Sequence, residues 1–138
     1  MTALSITAAS VLPDTDANYF VGIAGVAITA GQLVYYDTTT GTYKLTDSDA
    51  LATSQVAGVA LDGAAAGQPV VIQDKGTVTI GATIAAGVAY VASQTAGGIS
   101  PLADLLTGDY LCIVGYGASG STTKILLDIQ KAAPILVA

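Results

Sequence analysis

Residues 28–45 read ITAGQLVYYDTTTGTYKL, and this stretch decides the fold class. Two runs rich in β-branched and aromatic residues flank a polar segment that begins with Asp37 and ends with Gly41. Asp at the first position and Gly at the last are typical of a hairpin loop of about four or five residues. The stretch therefore predicts a β-hairpin with its turn at residues 37–41.

The same pattern returns further along the chain, where residues 84–102 read IAAGVAYVASQTAGGISPL. Gly31 matches Gly87 at an offset of 56 residues, and Gly58 matches Gly115 at an offset of 57. A repeat of about fifty residues made of turn and strand units indicates a symmetric β scaffold. We expect two pseudo-repeats, at about residues 28–75 and 84–131.

No stretch keeps a helical period over about twelve residues, and turn signals recur about every eight to twelve residues. The predicted class is all-β: a small β-sandwich or barrel built from two pseudo-repeats, with an extended N-terminal arm. We expect the arm at residues 1–18 and a single β domain at residues 19–138. Asp74, Lys75 and Gly76 predict a tight turn between two strands.

The composition of the 138 residues narrows the function. The chain has no His, Trp, Arg or Glu, and 10% of its residues are charged, against about 25% in ordinary soluble domains. So few charges favour burial of part of the neutral surface against partners; the alternative is a surface of Thr, Ser, Ala, Gly and Gln that faces water. A net charge of −6 argues against nucleic-acid binding and against a basic membrane-surface helix. The N-terminus lacks the basic and apolar regions of a signal peptide.

The residues available for chemistry predict no enzyme, no cofactor and no metal site. General acid–base catalysis at neutral pH most often uses His, and most Asp residues lie in turns, where they cap backbone N–H groups. Asp47, Ser48 and Asp49 resemble the start of a calcium loop, but its glycine and its bidentate Glu are missing. Cys112, in an apolar run, is interpreted as a buried hydrophobic residue.

Three of the seven tyrosines, Tyr35, Tyr36 and Tyr43, lie on one hairpin. Tyrosine and Asp side chains on loops can bind sugars, and one of Tyr35 and Tyr36 must face outward because neighbouring strand residues point to opposite faces. The favoured interpretation is a cross-strand aromatic pair.

The order and spacing of several short stretches carry a resemblance to a known family. These stretches are residues 28–35, 43–47, 57–70, 79–83, 86–90 and 95–99. From about residue 20 to residue 131 the chain resembles the capsid decoration, or cement, proteins of tailed bacteriophages. The resemblance implies a small β protein on the outer surface of the virion capsid, often a homotrimer. Such a protein binds at junctions between major capsid protein subunits and reinforces the shell.

The resemblance leads to expectations about contact residues. We expect the N-terminal arm to contact the capsid, and its removal to abolish docking while leaving the fold. We expect the apolar C-terminal tail to pair subunits by strand addition. The alternative function is a fibre- or tail-associated module that binds a host-surface glycan. The capsid-contact residues are Ile6, Val11, Leu12, Tyr19 and Phe20; the subunit-contact residues are Ile135, Leu136 and Val137.

Overall fold

The computed structural model describes residues 3–130 and 135–137. It is mostly β, with 42% strand and 7% helix, and its main sheet is antiparallel and curled into a half-barrel. The all-β prediction is confirmed.

Within the described residues, ten strands form the main sheet and two form a small second sheet. The short 3₁₀ turns lie at Ala8–Ser10, Ala52–Ser54 and Leu102–Asp104. The strands are β1 (Leu12–Pro13), β2 (Asn18–Ile23), β3 (Leu33–Asp37), β4 (Thr42–Leu45), β5 (Gly58–Ala60), β6 (Pro69–Thr79), β7 (Ala89–Ala92), β8 (Ile99–Pro101), β9 (Tyr110–Leu111), β10 (Ile113–Gly117), β11 (Lys124–Asp128) and β12 (Ile135–Leu136).

The strand order of the main sheet is symmetric. It runs β4-β3-β5-β6-β11-β10-β7-β8, with every neighbouring pair antiparallel. The first half of this order, β4-β3-β5-β6, is repeated from the opposite end of the sheet as β8-β7-β10-β11. In this match β3, β4, β5 and β6 correspond to β7, β8, β10 and β11. A duplicated unit would give this order. The repeats themselves stay a prediction, and residue 131, the expected end of the second, lies outside the described residues.

Strand β6 is the centre of the sheet and changes partners along its length. Its first half pairs with β2 and β5, and its second half pairs with β1 and β11. Gly76 lies at the change with φ +85°, and Thr77 N–H donates to Asp16 Oδ1 (2.9 Å) beside it. The predicted turn at residues 74–76 is wrong. Gly76 is left-handed, but β6 continues past it in the same direction and the chain does not reverse there.

Two hydrophobic clusters stabilise the fold, and β3 and β5 separate them. Leu33 and Val59 face the large cluster, whereas Val34 and Ala60 face the small one, as the alternation of a strand requires. The large cluster contains Val11, Leu33, Val56, Val59, Val78, Ile80, Ile84, Tyr90, Ala92, Ile99, Cys112, Val114, Ile125, Leu127 and Ile129. The small cluster contains Ala24, Ile28, Val34, Ala60, Ala64, Val70 and Ile72.

The N-terminal segment lies against its own sheet. Leu4 N–H donates to Ile99 O (2.7 Å), Thr7 N–H to Gly81 O (2.9 Å) and Asp14 N–H to Thr77 O (3.0 Å). β1 then pairs with the end of β6. The segment is thus part of the folded β domain, and the expectation that the fold survives removal of residues 1–18 does not fit this packing.

Candidate interaction surfaces

A strip of exposed apolar side chains follows the N-terminal edge of the sheet. It consists of Tyr19, Val21 and Ile23 on β2, all exposed, with Val21 at 65%. The alternate residues of β2 face inward: the Phe20 ring lies 5.7 Å from that of Tyr43. We call these three exposed residues the edge strip.

The edge strip has no charged neighbour along β2, since residues 17–25 carry none. β6 pairs with one side of β2. On the other side, among the described residues, the backbone of β4 comes close only just beyond the end of β2, where Gly25 N–H donates to Tyr43 O (2.8 Å). Proteins usually protect an edge strand with Lys, Pro or a covering element. An uncharged apolar edge of this kind is suited to contact with another protein.

The structure divides the five expected capsid-contact residues into two that are exposed and three that pack against the hydrophobic clusters. Tyr19 is exposed in the edge strip, and Leu12 is exposed on β1, near the ion pair of Asp14 and Lys124. Val11 is corrected: it is 5% exposed and belongs to the large cluster, so it has no surface to offer a partner. Ile6 packs partly buried against the same cluster, and Phe20 against the small one, so both are also removed from the contact set.

Sequence reasoning missed Val21 and Ile23. The signal that could have found them is the period of two in residues 18–23, where every second position carries a side chain that points to the same face. The expected capsid-contact set instead grouped Phe20 with Tyr19 and did not separate the inward Phe20 from its outward neighbours.

The C-terminal strand pairs with its own chain. β12 runs antiparallel to β9; Val137 N–H donates to Asp109 O (2.7 Å) and Gly108 N–H to Val137 O (2.9 Å). Ile135 and Leu136 stay exposed. One edge of the tail is thus occupied within the chain, and its expected role in subunit pairing stays a prediction.

The tyrosines of the hairpin form the expected aromatic pair. Tyr36 and Tyr43 are opposite each other across β3 and β4, with ring centroids 5.1 Å apart. Burial, and then the neighbouring Tyr36, raise the pKa of Tyr43 above its ordinary value. The cross-strand pair is confirmed, while Tyr36 itself remains exposed at the hairpin surface.

The carboxylates mostly serve the backbone, as expected for Asp residues in turns. Asp37 Oδ1 accepts from Thr39 N–H (3.0 Å), and its Oδ2 lies 2.8 Å from Lys44 Nζ. The hydrogen bond from Lys44 holds the pKa of Asp37 below its ordinary value. Asp62 Oδ1 accepts from Val71 N–H (3.0 Å) in the same manner. These groups stabilise turns and strand ends.

A more buried set of polar groups lies beside β9. Asp109 is fully buried and accepts from Ser48 Oγ (3.3 Å), Leu106 N–H (2.9 Å) and Gln94 Nε2. Burial raises the pKa of nearby Asp47, with added repulsion from the Asp49 and Asp109 charges. Among the residues described, no three His, Cys, Asp or Glu side chains come together in a metal-binding group.

Comparison with known protein families and with curated proteins finds no match to this chain. In residues 3–130 and 135–137, no helix has the length and apolar character needed to cross a bilayer.

Proposed function

We propose that this chain is a structural virion protein that decorates and stabilises the outer surface of a phage capsid, where it binds at junctions between major capsid protein subunits. The observation that carries the proposal is the edge strip. Tyr19, Val21 and Ile23 form a row of exposed apolar side chains along β2, in a stretch, residues 17–25, that carries no charge. The resemblance of residues 20–131 to capsid decoration proteins supports the same function.

The surface chemistry supports protein contact. With a net charge of −6, the chain lacks a basic face for nucleic acid. Because 10% of its residues are charged, few charged side chains would have to lose their hydration water on docking. Burial of apolar area contributes about 25 cal/mol per Å². A set of three exposed apolar side chains can therefore contribute usefully to one contact.

Reinforcement of a shell requires that several such contacts act together. We expect a homotrimer whose subunits each place an edge strip on a different capsid subunit. Once one strip is bound, the others meet their sites at a high effective concentration, so modest contacts give strong overall attachment. No catalytic step is part of this proposal.

The test is co-sedimentation with empty capsids assembled from the major capsid protein of the phage that encodes the chain, combined with light scattering of the free protein. Val21→Lys places a charge in the edge strip without disturbing the inward face of β2. Leu126→Lys, at an exposed position on β11, is the matched control. Both variants are first checked for an unchanged circular dichroism spectrum and unfolding midpoint.

We expect the native protein and Leu126→Lys to pellet with capsids, and Val21→Lys to remain in the supernatant. Equal binding of both variants would remove the edge strip from the docking surface. A native protein that ignores the capsids would refute capsid decoration altogether. A monomeric mass at every concentration, with capsid binding retained, would refute the homotrimer alone.

A further inference from the structure

A groove crosses the surface between the β3–β4 hairpin and the β10–β11 pair. It consists of three adjoining cavities of about 410, 310 and 290 Å³. The first two share Tyr36, Thr38 and Gln55, and the second and third share Gln130. Each volume is near the lower end of the range of about 300–1,000 Å³ found for small-molecule sites. A chain of small units would fill this groove better than one bulky ligand.

The groove exists because two strands meet end to end along β6. Val59 of β5 is opposite Gln73, and Asp128 of β11 is opposite Lys75, only two residues further along β6. Gln130 follows β11 and therefore reaches the segment that precedes β5, where it lines the groove with Val56. The site is thus built on the central strand of the fold.

The groups along the groove combine flat apolar faces with neutral hydrogen-bonding groups. Tyr36 lies toward one end and Tyr116 toward the other, and they are 49% and 39% exposed. The side-chain amides of Gln55 and Gln130 lie between them and form no hydrogen bond within the part of the chain that the structure describes. An amide both donates and accepts, as a sugar hydroxyl does. An aromatic face packs against the apolar C–H face of a sugar ring.

The charges of the groove exclude anionic ligands. Its lining residues include no Lys, whereas Asp37 and Asp128 both line it. Lys44 neutralises Asp37, but Asp128 has no such cation among the described ion pairs. Phosphate, sulfate or uronate groups would be repelled there.

The backbone beside the groove disfavours an added peptide strand. Ala57 N–H already donates to Val34 O (2.8 Å), and the turn begins at Asp37. In an antiparallel pair only alternate residues direct their N–H and C=O groups to one side, so Tyr36 alone presents them to the groove. A single residue is too short an edge for strand addition.

We propose that this groove binds a neutral, linear oligosaccharide, with Tyr36 and Tyr116 packed on sugar rings and Gln55 and Gln130 hydrogen-bonded to hydroxyl groups. This binding activity goes beyond capsid decoration and does not depend on it. A protein docked through its edge strip would carry a polysaccharide-binding site on the virion surface.

The test is an array printed with neutral hexasaccharides (maltohexaose, cellohexaose and N-acetylchitohexaose) and an anionic one, hexagalacturonate. The best neutral ligand is then titrated into isotopically labelled protein and followed by NMR. Gln55→Ala, Gln130→Ala and Tyr116→Ala remove single contacts. Tyr36→Phe keeps the ring and its packing on Tyr43, and Leu106→Ala is a control at an exposed position outside the groove.

We expect binding of at least one neutral hexasaccharide, with none of hexagalacturonate. Each alanine variant in the groove should weaken binding by roughly tenfold or less, as expected for loss of one neutral hydrogen bond or ring contact, and Leu106→Ala should not. No response to any neutral hexasaccharide at millimolar concentration would overturn the proposal. So would chemical-shift changes that map away from Tyr36, Gln55 and Gln130, or affinity unchanged in all three alanine variants.

Discussion

Gly76→Ala should destabilise the protein much more than Gly67→Ala, although the two glycines have nearly the same backbone conformation. Their φ angles are +85° and +86°. A methyl group at Gly67 would meet no atom within 4 Å, whereas at Gly76 it would overlap Asp16 O and lie 2.9 Å from Ala17 Cα. The comparison therefore separates the cost of a left-handed residue from the cost of displacing the N-terminal segment.

The magnitudes follow from these two contributions. A left-handed conformation costs a non-glycine residue about 1–2 kcal/mol, and this should be the whole effect of Gly67→Ala. Overpacking adds about 1–3 kcal/mol when the neighbouring atoms must shift, as the backbone of Asp16 must. The total for Gly76→Ala is about 2–5 kcal/mol, a large share of the roughly 5–15 kcal/mol that stabilises an ordinary domain.

Urea unfolding followed by circular dichroism measures both variants against the native protein. The unfolding midpoint should fall further for Gly76→Ala, with little change in the slope m. Equal midpoints for the two variants would show that residues 16–17 do not pack on Gly76 in solution. The N-terminal segment would then be an arm detached from its own sheet, and its place in the β domain would have to be abandoned.

Three further predictions concern the core, the ion pair at the N-terminal segment and the buried thiol. Ile125→Ala leaves a cavity at a fully buried position and should lower the free energy of unfolding by about 2–5 kcal/mol in the same urea assay. Leu126→Ala, at an exposed position, should change the free energy of unfolding by less than about 0.5 kcal/mol. Similar losses in the two variants would contradict the assigned faces of β11. The hydrogen bond from Lys124, and then that from Thr15 N–H, hold the pKa of Asp14 below its ordinary 3.8. The ion pair therefore makes a small stabilising contribution that is present above pH 3.8 and is lost as the pH falls through the folded-state pKa of Asp14. NMR titration should show this pKa rising in Lys124→Gln, and an unchanged value would refute the pairing. Cys112 is 1% exposed, so an aromatic disulfide reagent should label it only as urea unfolds the chain, and rapid labelling of the native protein would show that β9 and β10 open locally.

The hairpin is the part of the fold that sequence predicted best. Residues 37–41 form the turn, with Gly41 N–H donating to Asp37 O (2.8 Å) and Gly41 at φ +68°. Turn chemistry and strand propensity are local, so they act before any distant contact forms. The pairing of Tyr36 with Tyr43 follows from the same local register.

The central strand was mispredicted because its conformation depends on distant neighbours. Asp74, Lys75 and Gly76 have the composition of a turn, and in isolation Gly76 would favour one. In the folded chain, β2 and β11 pair with both sides of Lys75, and Asp16 binds Thr77. These contacts hold the chain extended on both sides of Gly76. Partners 50 or more residues away cannot be inferred from local composition.

Sequence by itself determined the all-β class, the first hairpin and the turn-stabilising role of Asp37 and Asp47, because each of these depends on residues close together in the chain. Only the tertiary structure decided that Val11 is core while Leu12 is surface, and that β5 and β11 meet end to end beside β6. Burial and strand pairing are properties of the assembled sheet. The edge strip and the groove, which carry both proposals, therefore become visible only after the chain has folded.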